Sequence, residues 1–137
     1  MKKDFSVKWI ASRQKRKQRK YRFNAPLHIR HKFLSANLSK ELRKKYSKRS
    51  LPLRKGDSVK IMRGKFQGKT GKITKVDLKR MKVSVENIQM QKKDGTKVNV
   101  WLDPSKLQIT DLNLEDKKRI EKLKKEKAEE KNASEKK

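Results

Sequence analysis

The residues best placed to do chemistry are lysines and glycines gathered between Lys55 and Val76, where the sequence reads KGDSVKIMRGKFQGKTGKITKV. This stretch holds four of the five glycines of the chain. Glycine is favoured where φ is positive or where another backbone comes close, so the clustering indicates a conformational demand. The loop from Arg63 to Lys69 carries cations around one aromatic side chain, Phe66, which we expect to be exposed. Such a loop can bring backbone amides and lysines against a phosphate backbone.

The segment from Gly64 to Thr70, GKFQGKT, is similar to a nucleotide-binding P-loop but differs in spacing. A P-loop needs four residues between its glycines and a helix after them. This sequence has three intervening residues, and Gly71 leads into an alternating segment that predicts a strand. We therefore expect no binding of ATP or GTP, and we interpret the loop as an RNA contact. The cations assigned to this contact are Arg63, Lys65, Lys69 and Lys72, and the glycines that shape the backbone of the hairpin are Gly56, Gly64, Gly68 and Gly71.

A second cationic feature is the run from Arg13 to Arg22, RQKRKQRKYR. Residues 1–54 carry nineteen Lys and Arg against Asp4 and Glu41 alone. We expect such a block to be extended or disordered by itself and to become ordered on phosphates, although a nuclear-localisation signal is also compatible. The RNA-binding residues predicted in this arm are Arg13, Lys15, Arg16, Lys17, Arg19, Lys20, Arg22, Asn24, His28, Arg30, His31 and Lys32.

Three aromatic residues, Trp9, Tyr21 and Phe23, lie among these cations. Aromatic rings beside arginines can stack on unpaired bases, although packing against neighbouring side chains is their commoner fate. We interpret Trp9, together with Val7 and Ile10, as a structural anchor.

No arrangement of residues typical of catalysis is present. Acidic residues are dispersed, and no nucleophile has a base at motif spacing. His28 and His31 are three residues apart, but without cysteine or a carboxylate cluster we favour hydrogen bonds to phosphate or backbone over zinc. The sequence therefore predicts a binding protein rather than an enzyme. We expect no cofactor of its own, although structural Mg²⁺ or K⁺ ions on a bound RNA are compatible.

Composition sets the class of partner. The 137 residues suggest one domain with extensions, and hydrophobic residues make up only 31% of them. A formal net charge of +28 indicates a polyanionic partner, with nucleic acid as the leading candidate. The absence of cysteine excludes disulfides, and no apolar run has the length of a membrane span. A membrane surface is disfavoured because no stretch has a broad apolar face opposite its lysines.

The elements that position these residues follow from local signals. Asn24 or Ala25 is expected to cap a short helix with Pro26 in its first turn, and Ser39 to cap a second helix that ends near Ser47. Pro52 is expected to break the chain before a barrel begins.

Alternating apolar residues predict about five short strands over some fifty residues, which favours a small β-barrel. Asp94-Gly95 predicts a hairpin with a primed turn. Shifts in apolar parity after Ile73 and after Val85 predict bulges. The predicted core is Val59, Ile61, Ile73, Val76, Val83, Val85, Val98, Val100 and Leu107.

After Thr110 the charge becomes balanced, with ten Lys and Arg against eight Asp and Glu. Asn113 and Asp116 predict the cap of a helix from about Leu114 to Lys127, which we expect to lie on the surface and to fray into a disordered polar end. The chain thus divides into a basic arm with two short helices (1–50), a barrel (51–110) and a charged helical tail (111–137).

The residues Lys55-Gly56-Asp57, Val59, Ile61, Gly64, Gly68, Gly71 and Ile73 resemble the KOW motif, the first hairpin of a small SH3-like barrel. The preceding segment RFNAPLHIRHKFLSANLSKELRKKY and the segment RSLPLRKGDSVKIMRGKFQGKTGKI extend the likeness to residues 5–120. Together they resemble the large-subunit ribosomal protein twenty-four family in its archaeal and eukaryotic form, which is called twenty-six in eukaryotes.

The resemblance implies a mainly β fold, in which an SH3-like KOW barrel carries a basic N-terminal arm with short helices and a C-terminal helical tail. It also implies a structural constituent of the large ribosomal subunit that binds the 5′ domain of the large rRNA near the peptide exit tunnel and acts early in assembly. The partners would be rRNA and neighbouring ribosomal proteins, on cytoplasmic ribosomes, with nucleolar assembly in a eukaryote. A KOW-containing transcription or RNA-processing factor is the alternative.

Overall fold

The computed structural model of the protein describes residues 5–121 and 123. Seven strands form one sheet in the order β2-β1-β7-β3-β4-β5-β6, and the predicted small SH3-like barrel is confirmed. The strands are β1 (Ser35–Leu38), β2 (Ser50–Pro52), β3 (Ser58–Ile61), β4 (Thr70–Asp77), β5 (Lys82–Gln91), β6 (Lys97–Leu102) and β7 (Leu107–Asp111). The helices are α1 (Lys15–Asn24), α2 (Leu27–Phe33) and α3 (Lys40–Tyr46), and residues 117–121 are also helical.

The barrel core is built mostly from the alternating residues of β3, β4, β5 and β7. Six of the predicted core residues are buried: Val59, Ile61, Ile73, Val83, Val85 and Leu107. Val76 and Val100 are only partly buried. The prediction that Val98 belongs to the core is wrong, since 41% of this residue is exposed. The core also takes in residues outside the predicted core, namely Leu34, Ala36, Leu38, Leu51, Leu53, Ile88, Leu102, Ile109 and Leu123.

Two strands of the sheet come from the segment predicted as arm. In β1, Ala36 and Leu38 point into the core, while β1 pairs in parallel with β7 and antiparallel with β2. Pro52 was expected to break the chain, but it ends β2 opposite Ser35. β2 is an edge strand, where the missing N–H of proline leaves no ladder bond unmade. The sheet therefore begins well before residue 51.

The predicted bulges are present on both strands that bend the sheet. The register shifts between Ile73 and Lys75 on β4, and between Ser84 and Gln89 on β5. Gly71 lies against β5, because a Cβ built there would be 2.9 Å from the carbonyl oxygen of Glu86 and 2.9 Å from a methyl carbon of Val85. Ordinary side chains do not fit this gap, which explains the glycine.

Replacing Gly71 by alanine is therefore expected to destabilise the protein by about 1–3 kcal/mol, the usual cost of overpacking. One of the two obstructing atoms, the oxygen of Glu86, belongs to the backbone, so a change of side-chain rotamer cannot relieve that contact. Urea unfolding followed by circular dichroism measures the loss. Thr70→Ala, at the neighbouring exposed position, is the control and should stay within about 0.5 kcal/mol of the unsubstituted protein. Equal stability of the two variants would contradict this account of Gly71.

The hairpin of β5 and β6 turns at the predicted place but not with a primed turn. Only Gly95 has positive φ (83°), while Asp94 does not. The N–H of Gly95 donates to the oxygen of Lys92, and the N–H of Lys92 donates to the oxygen of Thr96. This is a three-residue turn ending in a glycine bulge. Hydrogen bonds from the Thr96 hydroxyl and N–H to the carboxylate lower the pKa of Asp94.

The run from Arg13 to Arg22, expected to be extended or disordered, is mostly the helix α1. The anchor assigned to Trp9, Val7 and Ile10 is also wrong in part, since Val7 and Ile10 are 61% and 66% exposed. A different aromatic cluster holds the arm. The ring of Tyr21, which is 5% exposed, lies with its centroid 5.0 Å from that of Phe5 and 5.7 Å from that of Phe33.

The two helices predicted in the arm are both present. The hydroxyl of Ser39 caps α3 by accepting the N–H of Leu42, as predicted. Helix α2 begins one residue later than expected, because Pro26 is its N-cap residue instead of lying in the first turn.

The C-terminal helix begins at residue 117 rather than near Leu114. Asp116 caps it by accepting the N–H of Lys118, whereas Asn113 accepts the N–H of Glu115 in a turn before it. The expected surface position is wrong for its first turns, since Arg119 and Leu123 are 7% and 5% exposed. The predicted fraying and disordered end lie outside the described residues.

Arg119 forms a buried ion pair with Asp57 that joins this helix to the start of β3. Its two terminal nitrogens donate to the two carboxylate oxygens over 2.6 and 2.9 Å. The same carboxylate accepts the backbone N–H of Arg54 and that of Asn113. Asp57 is fully buried, so its charge is balanced entirely by groups of the protein.

Candidate nucleic-acid interface

Helix α1 displays most of the predicted phosphate-binding cations of the arm. Its sequence, KRKQRKYRFN, contains no acidic residue. We call its six exposed cations the α1 surface: Lys15, Arg16, Lys17, Arg19, Lys20 and Arg22. None of them forms an ion pair within the described part of the chain. Their charge is therefore available to a partner.

A helix with like charges four residues apart needs external support. The side-chain amide of Gln18 supplies part of it, donating to the backbone oxygens of Trp9 over 2.8 Å and of Ser12 over 2.7 Å. Tyr21, three residues further along and on the same side of the helix, supplies the rest through the aromatic cluster. The ammonium nitrogen of Lys20 lies 5.6 Å from the centre of the Trp9 ring, a cation–π contact.

The loop between β3 and β4 presents the second set of predicted cations. Arg63, Lys65, Lys69 and Lys72 are all exposed, and we call them the loop surface. Gly64 and Gly68 have φ of 98° and 85°, so the predicted demand for left-handed backbone is confirmed at both.

Hydrogen bonds close this loop against the end of β3. Gly68 donates to the oxygen of Ile61 over 2.8 Å, and Ile61 donates to that of Lys69 over 2.9 Å. Phe66 was expected to be exposed but is half-buried and packs against the barrel core. It therefore anchors the loop, with the ammonium nitrogen of Lys69 5.6 Å from its ring centre.

The α1 surface and the loop surface lie at opposite ends of β4. The loop enters β4 at Thr70, whereas the end of α1 is fastened beside the β4–β5 turn, where Arg30 donates both to the oxygen of Phe23 and to that of Lys79. The eight residues of β4 span about 26 Å at about 3.3 Å per residue. The predicted residues thus form two separate cationic surfaces joined by a strand, and not one patch.

The remaining predicted residues lie on α2 or near the ends of α1, and they differ in how exposed they are and in what they contact. His28, His31 and Lys32 border a cleft of about 350 Å³ that Lys48 and Lys118 also line. Arg30 is largely engaged inside the protein, since it also donates to the oxygen of Ala25 over 2.8 Å. Arg13 is exposed before α1, and Asn24 is half-buried at its end. Among the described residues, no three His, Asp or Glu side chains form a group able to hold a metal ion.

Sequence reasoning missed the contribution of the β4–β5 turn. Met81 in this turn lines a cleft together with residues of α1, and it has positive φ (55°). Lys48 and Lys118 were also missed, because they become neighbours of α2 only through the fold. The spacing of Arg16, Arg19, Lys20 and Phe23 was a usable signal, since it places all four on one side of a helix.

Two comparisons with known proteins agree with the family resemblance. Residues 12–126 match the model of a family described as the eukaryotic ribosomal proteins L26 and their archaeal L24 counterparts. The chain is 52% identical over 114 residues to the large ribosomal subunit protein uL24 of Methanoculleus marisnigri, covering 83% of this chain and 94% of that protein. It is 49% identical over 110 residues to the uL24 of Korarchaeum cryptofilum, covering 80% and 84%.

Proposed function

Because the chain belongs to the family of eukaryotic L26 and archaeal L24 ribosomal proteins, we propose that it is a structural component of the large ribosomal subunit and binds large-subunit rRNA. Proteins of this family are structural rather than catalytic. The observation that carries the RNA-binding part is the pair of unneutralised cationic surfaces held at opposite ends of β4.

The mechanism is electrostatic bridging. Each cation placed on a phosphate releases condensed counterions, so the α1 surface and the loop surface gain affinity without reading sequence. The strand between them is part of the barrel sheet and spans at most about 26 Å, so it keeps the two surfaces apart. A protein of this form holds two phosphate-lined RNA segments at a fixed distance.

The finer assignment follows the family resemblance. The bound RNA is the 5′ domain of the large rRNA near the peptide exit tunnel, and the protein joins early in subunit assembly. Bridging supports an early role, because a fixed spacer between two RNA segments is useful before other proteins add. Neighbouring ribosomal proteins are further partners, and Mg²⁺ or K⁺ ions accompany the RNA. The location is the cytoplasmic ribosome, with nucleolar assembly if the source organism is eukaryotic.

Sedimentation of cell extracts tests this function. A tagged version of the full chain is expected in the large-subunit fraction of a sucrose gradient and in precursor particles that still lack late proteins. RNA recovered by crosslinking should map to the 5′ domain of the large rRNA. Recovery with RNA polymerase or processing complexes, and not with large subunits, would contradict the proposal and favour a transcription or RNA-processing factor.

A further inference from the structure

The three aromatic residues in and before α1 have different surroundings. Tyr21 is buried in the aromatic cluster, and Trp9 is half-buried with Lys20 against its ring. Phe23 is 79% exposed, although burying a large apolar ring is normally favourable. The barrel gains nothing from Phe23 in this position, so its ring is available to a partner.

Phe23 lies in a cleft whose other walls are almost entirely cationic. The cleft has a volume of about 640 Å³ and lies between α1 and the β4–β5 turn. It is lined by Arg16, Arg19, Lys20, Arg22, Phe23 and Met81. No carboxylate is among these lining residues, so an anion entering the cleft meets no like charge from its walls.

The two sides of the cleft are fastened by Arg30. Its guanidinium donates to the backbone oxygen of Phe23 on one side and, over 3.1 Å, to that of Lys79 on the other. Ala25, which also accepts from Arg30, is 4% exposed and fixes the chain between α1 and α2. The backbone of Phe23 and the turn that carries Met81 are therefore held in place before any ligand arrives, which reduces the ordering cost of binding.

We propose that this cleft binds one unpaired nucleobase of an RNA strand, stacked on Phe23, with the adjoining phosphates held by Arg16, Arg19 and Arg22. An RNA strand supplies both a flat π face for the ring and anions for the surrounding cations. An acidic peptide would satisfy only the cations. This proposal rests on the proposed rRNA binding and adds a base-binding site to a surface otherwise expected to contact phosphates alone.

Binding of short RNA probes tests the site in the full chain. The probes are a hexa-adenylate with 2-aminopurine at its centre and the same hexamer with an abasic centre. Phe23→Ala is expected to weaken binding of the first probe by about 5- to 150-fold, the usual effect of removing one aromatic stacking partner. It should leave the abasic probe unchanged. Phe23→Trp should retain affinity and quench 2-aminopurine fluorescence.

Leu114→Ala is the matched control, since Leu114 is also an exposed apolar residue (40%) but lies outside the cleft. Equal losses for both probes, or an unchanged affinity of Phe23→Ala, would overturn the stacking site. If Phe23→Ala weakened the binding of poly-glutamate as much as that of the 2-aminopurine probe, the stacking site would be overturned in favour of an acidic protein partner. Failure of the unsubstituted chain to bind either probe or large-subunit rRNA would instead refute the proposed function.

Discussion

Replacing Arg16, Arg19 and Arg22 together by glutamine is expected to flatten the salt dependence of rRNA binding. The slope of log affinity against log salt falls by about 0.9 for each duplex phosphate that the protein no longer neutralises, so three such phosphates lower it by about 3. A protein that neutralises six to ten phosphates weakens by about 10³–10⁵ in affinity between 50 and 200 mM salt. The triple variant should weaken about forty-fold less over that range. Filter binding to a 5′-domain rRNA fragment measures both.

This experiment substitutes single side chains of α1 and does not delete the arm, because the arm also carries structural contacts. Removing residues 1–22 would also remove Phe5 and Tyr21 and so dismantle the cluster that holds Phe33. Glutamine keeps the helix propensity of α1 nearly unchanged. Any change of slope then reports charge at the interface and not loss of the arm.

The control removes the same charge from another surface. Lys92, Lys93 and Lys97 are exposed near the tip of the β5–β6 hairpin, outside both cationic surfaces. Their triple glutamine variant should change the slope much less than the α1 variant. Equal changes would mean that affinity follows net charge alone, and the role given to α1 would be wrong.

The strands that could be predicted were those whose partners lie near them in sequence and whose apolar residues alternate. Val59 and Ile61, or Val83 and Val85, identify their strands without further context. Strand β1 was missed because Ala36 and Leu38 alternate with Ser35 and Asn37 over only four residues, inside a strongly basic segment. Its parallel pairing with β7 joins residues some seventy positions apart, and no local pattern encodes that contact.

The candidate site was predictable in composition but not in arrangement. The cations were evident, yet their density favoured an extended chain, whereas Gln18 and Tyr21 hold them on a helix. Once α1 is a helix, Tyr21 and Phe23 fall about 200° apart around its axis. One ring is therefore buried while the other is exposed. Helix phase, and not residue type, separates the structural aromatic from the candidate stacking partner.

Replacing Arg119 by alanine is expected to destabilise the protein by about 3–5 kcal/mol, because it leaves the buried carboxylate of Asp57 without its counter-charge. Two backbone N–H groups still reach this carboxylate, from Arg54 and Asn113, but neither carries a full charge. Such a loss is a large part of the about 5–15 kcal/mol that stabilises a domain. Urea unfolding measures the difference in the free energy of unfolding, at a low temperature at which the variant is still folded without urea.

Arg54 provides the matched control, since it pairs with Asp116 on the surface, with 39% and 40% of the two side chains exposed. Arg54→Ala should cost less than about 1 kcal/mol, because water solvates both charges when the pair is broken. The double variant Asp57→Ala, Arg119→Ala should be less destabilised than the sum of its single variants, since no unpaired charge remains buried. Equal losses for Arg54→Ala and Arg119→Ala, or strictly additive effects in the double variant, would contradict the role of this pair. Because Arg119 is buried, the folded Arg119→Ala variant should keep the salt slope of RNA binding, which separates what stabilises the barrel from what binds the RNA.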